Sequence, residues 1–237
     1  MIISGLQKMT LLDFPGKVAC TVFTQGCNFR CPFCHNSGLL GGDAPEQIPT
    51  EELLAFLKKR AGLLDGVCVT GGEPTLQKDL PEFLAQIKAM GYSVKLDTNG
   101  SHPDMLRKIA ESGSVDYVAM DIKNCKDRYG DTVGMPQMDL SRVEESMAYL
   151  LSGAVDYEFR TTVMAELHDP DSFAEIGTWL RTLDPVRKAR RYFIQPYVER
   201  DSVLVHGWST PDGENLHRMA EKIAPFVQEV HIRNLDE

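Results

Sequence analysis

Short β-rich runs alternate with amphipathic helical stretches along the whole chain, and that alternation restricts the fold more than any other feature of the 237 residues. Strands are predicted at 18–24, 66–70, 92–97, 115–121, 155–163 and 191–195, with one more at 226–232. Helices are predicted between them at 50–61, 79–90, 103–112, 139–152, 171–183 and 213–224. Thr50, and Asp139 or Ser141, are the expected caps; Gly91, Gly113 and Gly153 are the expected stops. Crossovers of this length join parallel strands in right-handed βα units. Six units are too few for a closed eight-fold barrel. The expected class is therefore α/β, a partial (β/α)6 TIM-like barrel, with a doubly wound sheet as the other arrangement. No repeat, linker or shift of composition divides the chain, so residues 1–237 are expected to form one domain. The stretch 124–138 is the longest irregular piece and is expected to lie over the site as a loop.

The formal net charge of −9 argues against a nucleic-acid binder, which needs a basic face to neutralise phosphates. The basic run at 186–191 reads as a solvated loop before a strand, with a docking patch for an acidic partner as the alternative. The first residues carry neither a signal-peptide pattern nor an apolar run of membrane length, so the cytoplasm is the expected compartment and no membrane partner is implied.

Six cysteines stand at 20, 27, 31, 34, 68 and 125, three of them within eight residues. A disulfide scaffold would spread paired cysteines through a small secreted chain, which leaves a metal or redox site. In Cys27-Asn-Phe-Arg-Cys31-Pro-Phe-Cys34, three soft thiolates on one loop can wrap an iron–sulfur cube. A cube has four irons, so three protein ligands leave one iron for a non-protein chelator. Zinc is the alternative; a closed zinc site wants four ligands, and His35, adjoining Cys34, would strain the tetrahedron.

Polar clusters follow the predicted strands in turn. Gly71-Gly72-Glu73-Pro74, Asp97-Thr98-Asn99-Gly100, Asp121-Ile122-Lys123-Asn124 and Gln195-Pro196-Tyr197 come after strands, and Arg160-Thr161-Thr162 lies within one. Each alone reads as a turn. Together with the cysteine loop they point to one pocket at the C-terminal strand ends.

CNFRCPFC resembles the CxxxCxΦC motif (Φ aromatic) of the radical S-adenosylmethionine superfamily, and VTGGEPTLQ is similar to its second signature. Residues 5–40 resemble the glycyl-radical activating branch, with the anaerobic ribonucleoside-triphosphate reductase activating proteins nearest; DTNG and MDIKN are similar to segments of pyruvate formate-lyase activating enzymes. The resemblance implies that Cys27, Cys31 and Cys34, on a loop spanning 26–36, hold one [4Fe–4S] cluster whose open iron is chelated by S-adenosylmethionine. It implies Phe33 beside the adenine and Gly71, Gly72 and Glu73 at the amino group. Asp97, Thr98 and Asn99 would line the ribose and carboxylate side, with a monovalent cation near Asp97 as a further expectation. Lys123 and Arg160 would lie near the carboxylate or form a structural ion pair. His35 and Asn36 would give a hydrogen bond to the cluster or cap its loop.

No side chain is implied as an acid or base: a 5′-deoxyadenosyl radical from the cofactor would take a hydrogen atom from a glycine of a partner enzyme, with flavodoxin or ferredoxin as electron donor. Anaerobic ribonucleoside-triphosphate reductase is the first expected partner and a pyruvate formate-lyase-like enzyme the second. A radical enzyme acting on a small molecule and a non-enzymatic iron–sulfur electron carrier are the competing readings. Cys20 and Cys68 are expected in the core, and Cys125 either faces the pocket or is inert. Their scatter argues against a second cluster. His168 is expected on a surface loop, and 8–17 as a strap at the barrel's underside or edge.

Overall fold

The computed structural model describes residues 1–41 and 47–233. Eight strands are hydrogen-bonded in chain order: β1 (Ile3–Thr10), β2 (Ala19–Thr24), β3 (Gly66–Gly71), β4 (Ser93–Thr98), β5 (Tyr117–Asp121), β6 (Asp156–Val163), β7 (Ala189–Pro196) and β8 (Val227–Ile232). β1 is antiparallel to β2, whereas β2, β3 and β4 run parallel, as do β6, β7 and β8. Helices follow each strand from β2 to β7: α1 (Thr50–Lys59), α2 (Leu80–Ala89), α3 (Pro103–Glu111), α4 (Lys126–Thr132) with α5 (Ser141–Leu151), α6 (Pro170–Leu183) and α7 (Gly213–Ile223). This is the α/β class with six βα units that the alternation predicted, and the strand order leaves β1 and β8 as edges. The chain divides into two compact units, one of residues 1–28, 36–98 and 102–119, the other of 29–35, 99–101 and 120 onward.

In the first unit, Leu53 and Leu57 of α1 and Leu80, Phe83, Leu84 and Ile87 of α2 are buried, as are the centres of β2 and β3. In the second, α5 buries Val143, Met147, Leu150 and Leu151. Side chains of this size each contribute about 1.5–3 kcal/mol on burial. Gly91, Gly113 and Gly153, at φ +89, +69 and +79, stand two residues past α2, α3 and α5, the left-handed stops expected of them.

Three expectations need correction. The segment read as a strap contains the end of β1, an edge strand whose pairing with β2 is interrupted between Ile3 and Gly5 and between Gln7 and Thr10. Those irregularities break the period-2 alternation by which a strand is read. The 124–138 stretch is not all loop: it holds α4, which buries Tyr129 and Thr132. The capping positions also move. Pro49 precedes α1 and Thr50 is its first residue, while Leu140 precedes α5, and Asp139 instead accepts bonds from Ser141 N and Oγ at 2.9 and 2.8 Å.

Candidate active site

β2 and β3 are in parallel register with Thr24 opposite Gly71, so the stem of the cysteine loop and the glycine turn leave the sheet side by side. Two backbone bonds join them: Gly72 N–H donates to Thr24 O (2.9 Å) and Glu73 N–H to Gly26 O (2.8 Å). Gly71 has φ +118, and a Cβ there would overlap the backbone of Thr24; a Cβ on Gly72 would overlap the Gly26 carbonyl. Glycine is needed at both positions because two backbones touch, not merely because the chain turns. Asn36 Nδ2 donates to Gly71 O (3.0 Å) and Gln77 Nε2 to Gln25 O (2.7 Å), fastening the loop's far end and its stem to the same turn. Asn36 is thus a brace of the loop.

Glu73 is fully buried, and its Oε1 accepts from Thr75 N (3.1 Å), Thr75 Oγ1 (2.5 Å) and Thr98 Oγ1 (2.8 Å). A buried carboxylate needs such donors, and here they pin the glycine turn to the end of β4. Asp97 accepts from Lys95 Nζ at 2.5 Å, and the Lys95 side chain is only 1% exposed. The two alternate-position residues share a face of β4. A monovalent cation at Asp97 would have to share this carboxylate with a buried ammonium.

In the second unit the rest of the cysteine loop is buried at Phe29, Cys31 and Phe33. It is held from two directions. Arg30 N–H donates to Val133 O (2.9 Å) just past α4, and Val205 N–H donates to Pro32 O (2.9 Å). Ser202 Oγ–H donates to His35 O (2.7 Å). The His35 ring stacks on Tyr197 (5.3 Å, 9°) and its Nε2 meets Val198 O at 2.7 Å, an N–H donor to a carbonyl. His35 therefore anchors the loop to the 197–205 segment, a role the sequence reading missed along with Ser202 and Val205. Asn99 also falls in this unit, where its Oδ1 accepts from Ser101 N (3.0 Å) and Oγ (2.6 Å) as an Asx turn.

Arg160 Nε and Lys123 Nζ donate to the two oxygens of Asp121 at 2.5 and 2.7 Å, with all three side chains no more than 21% exposed. Burial alone would raise the Asp121 carboxyl, but the Arg160 and Lys123 charges outweigh it and hold the group well below the usual range. Burial would likewise lower Lys123; Asp121 and, next, Cys31 hold it above the ordinary lysine value. The ion pair with Asp121 is one of the two roles expected for Lys123 and Arg160.

His168 is not on the surface. It is 3% exposed, its Nδ1 accepts from Met164 N (3.2 Å), and its Nε2 bonds Lys123 O (2.9 Å). Nδ1 as acceptor and Nε2–H as donor make it the neutral ring, and burial lowers its pKa. The unfolded chain, near 6.5, takes the proton first, so this contribution to stability is complete above about pH 6.5 and is lost as pH falls towards the folded value. Denaturant unfolding between pH 7.5 and 5 is expected to lose up to about 1 kcal/mol per pH unit. His168→Gln should flatten that slope; an equal slope in both proteins would refute the assignment. Cys125 is fully buried and its thiol is pushed up to about 11 by burial and by Glu175, which makes it an inert thiol. Cys20 and Cys68 lie in the core as expected, and none of the six cysteines is in a disulfide.

The family profile described as the Radical SAM superfamily matches residues 21–180, more than half of the chain. The chain belongs to the radical SAM superfamily. A putative glycyl-radical enzyme activating enzyme of Methanocaldococcus jannaschii is 29% identical over 246 residues, covering 99% of this chain and 97% of that protein. A pyruvate formate-lyase-activating enzyme of Listeria monocytogenes is 33% identical over 204 residues, 78% of each. In fold, a radical SAM methyltransferase from Sphaerobacter thermophilus superposes with TM-score 0.72 at 15% identity, over 96% of this chain and 70% of that one.

Radical SAM proteins use a [4Fe–4S] cluster and S-adenosylmethionine, and the residues present fit both. The loop supplies three soft donors. Its stem is joined to the glycine turn in the first unit; within the second, residues 30–35 are joined to Val133 and to the 197–205 segment. Among the described residues no three His, Cys, Asp or Glu side chains gather closely enough to hold a single metal ion. A cube takes each thiolate on a different iron and needs no such convergence.

Proposed function

We propose that this radical SAM enzyme activates a glycyl-radical enzyme. Cys27, Cys31 and Cys34 hold one [4Fe–4S] cluster within a single catalytic domain, and the fourth iron is left to S-adenosylmethionine. When bound, the two cofactors would supply hydrogen-atom abstraction chemistry directed at the protein substrate. The chain's own residues bind and orient. Gly71 and Gly72 keep the second motif in backbone contact with the loop stem, so that this turn and Glu73 can face the cofactor's amino group. Phe33 lies by the adenine; Asp97, Thr98 and Asn99 line the ribose and carboxylate side. The ion pair of Asp121 with Lys123 and Arg160 fixes the end of β5. No side chain serves as acid or base.

The observation that carries this reading is the pair of backbone bonds from Gly72 and Glu73 to Thr24 and Gly26, which joins the second motif to the stem of the cysteine loop. The end-to-end likeness to an activating enzyme supports a glycine-bearing protein as the substrate. Anaerobic ribonucleoside-triphosphate reductase is the partner favoured by the amino-terminal motif. The Listeria relative supports a formate-lyase-like partner as the second reading. Electrons come from a flavodoxin or ferredoxin in the cytoplasm; no helix among the described residues is long and apolar enough to cross a membrane.

The test is anaerobic incubation of the reduced, cluster-loaded protein with S-adenosylmethionine and each candidate enzyme, followed by EPR. A glycyl doublet on the reductase is expected. A doublet only on the formate-lyase would transfer the assignment to it, and none on either would overturn a protein substrate of this class.

A further inference from the structure

In the second unit, β6, β7 and β8 turn one face towards the helices and the other away from them. Tyr192 packs against Phe173 of α6 (ring centroids 6.0 Å), and its hydroxyl bonds Thr161 Oγ1 (2.6 Å), so these side chains lie on the helical side. Side chains alternate along a strand, which places Arg160 and Thr162 of β6 and Phe193 and Gln195 of β7 on the opposite face. The parallel register sets Arg160 beside Phe193, Thr162 beside Gln195, and Phe193 beside His231. On that face the Phe193 ring stacks on His231 (4.9 Å), and the Arg233 guanidinium lies over it (4.8 Å).

The arginines of this face are already engaged: Arg160 with Asp121, and Arg233 with the fully buried Glu158 (3.1 Å). At the C-terminal strand ends, the Thr162 hydroxyl and the Gln195 carboxamide are both half-buried and make no side-chain hydrogen bond among the described residues. The cysteine loop comes to the same place. Tyr197 N–H donates to Val163 O (3.0 Å), one residue past β7, and the Tyr197 ring stacks on His35, the neighbour of Cys34 (5.3 Å, 9°). Gln195 is two residues of extended chain, roughly 7 Å, from that stack.

We propose that Gln195, with Thr162 beside it, holds the glycine-bearing segment of the partner enzyme by its peptide groups. This rests on the reading of the chain as a glycyl-radical activating enzyme. A glycine offers no side chain, so a site that reads it must bond its backbone N–H and C=O. A glutamine carboxamide carries an acceptor and two donors and meets both; the Thr162 hydroxyl adds another donor or acceptor. Neutral groups suit a neutral peptide. Fixing the segment also fixes the reacting Cα, where a displacement of about 1 Å costs on the order of a hundredfold in rate.

Gln195→Leu removes both bonding groups and keeps much of the bulk. The test uses whichever enzyme, reductase or formate-lyase, gives a glycyl doublet with wild-type protein. Initial rates of doublet formation are followed by EPR over a range of that enzyme's concentration, and 5′-deoxyadenosine is measured in the same samples. The variant is expected to need severalfold more partner for half-maximal rate and to release severalfold more 5′-deoxyadenosine per glycyl radical. A merely structural fault would lower the loaded fraction and both products together, leaving that ratio and the half-saturating partner concentration at wild-type values; this result overturns the proposal. A raised requirement for S-adenosylmethionine, with the partner requirement unchanged, would assign the amide to the cofactor and overturns it as well. Thr162→Val gives the same readout should the leucine protein not fold. If wild-type protein raises no doublet on either enzyme, the activating function fails first and this contact with it.

Discussion

Cys31→Ser protein, reconstituted anaerobically with iron and sulfide, is expected to hold iron more than about tenfold more weakly than wild type, as is protein changed at Cys27 or Cys34. The substitution exchanges a soft thiolate for a hydroxyl that stays protonated near neutral pH and prefers harder metals. The fold should survive, because the backbone bonds that hold the loop at Arg30, Pro32 and His35 involve no sulfur. Cys20→Ala is the informative control. Cys20 is fully buried in β2 and burial pushes its thiol up to about 11, so this variant should lose stability yet keep its iron. Iron content by colorimetric assay, beside thermal unfolding of the same samples, separates the two behaviours. Full iron in any one of the three loop variants would contradict the ligand assignment.

Gly72→Ala is expected to be strongly damaging for a single added methyl group. Its Cβ would overlap the Gly26 carbonyl oxygen, which itself accepts from Glu73 N at 2.8 Å. Relief requires the glycine turn to leave the loop stem, breaking that bond and the one from Gly72 to Thr24. Overpacking of this kind costs about 1–3 kcal/mol, and two lost backbone bonds add to it. Both stability and iron retention should therefore fall. Gly38→Ala makes the comparison fair: Gly38 lies just past the cysteine loop, and a Cβ there meets nothing within 4 Å. It should be neutral or slightly stabilising, by less than about 1 kcal/mol, through a less mobile unfolded chain. Equal behaviour of the two alanine variants in urea unfolding would remove the close approach at Gly72 as the reason for its glycine.

The six βα units and the order of the motifs were legible because they rest on short-range patterns. Period-2 and period-3.6 runs, a glycine two residues past a helix, and thiol spacing are all written locally. What was hidden depends on partners far along the chain. α4 is short and polar, carries Gly130, and is held by Arg30 and by Asn124 Nδ2 bonding Thr132 Oγ1 at 2.9 Å. His168 sits among Glu166, Leu167 and Asp169, a surface-like setting, and only the Lys123 carbonyl 45 residues earlier reveals why it is buried. The 197–205 segment has no periodicity; its meaning comes from Pro32 and His35. The ion pair of Asp97 with Lys95 was hidden because the burial of Lys95, two residues before it, is a tertiary fact. Patterns written locally were thus visible, while most contacts made from far along the chain were not.

The central claim is that the 26–36 loop carries a cube able to engage S-adenosylmethionine. Chromatography of the quenched mixture of anaerobically loaded protein, S-adenosylmethionine and dithionite tests it most directly. Release of 5′-deoxyadenosine together with methionine, abolished in the Cys31→Ser protein, is the expected result. Iron-loaded wild-type protein that leaves S-adenosylmethionine intact under these conditions would contradict the account.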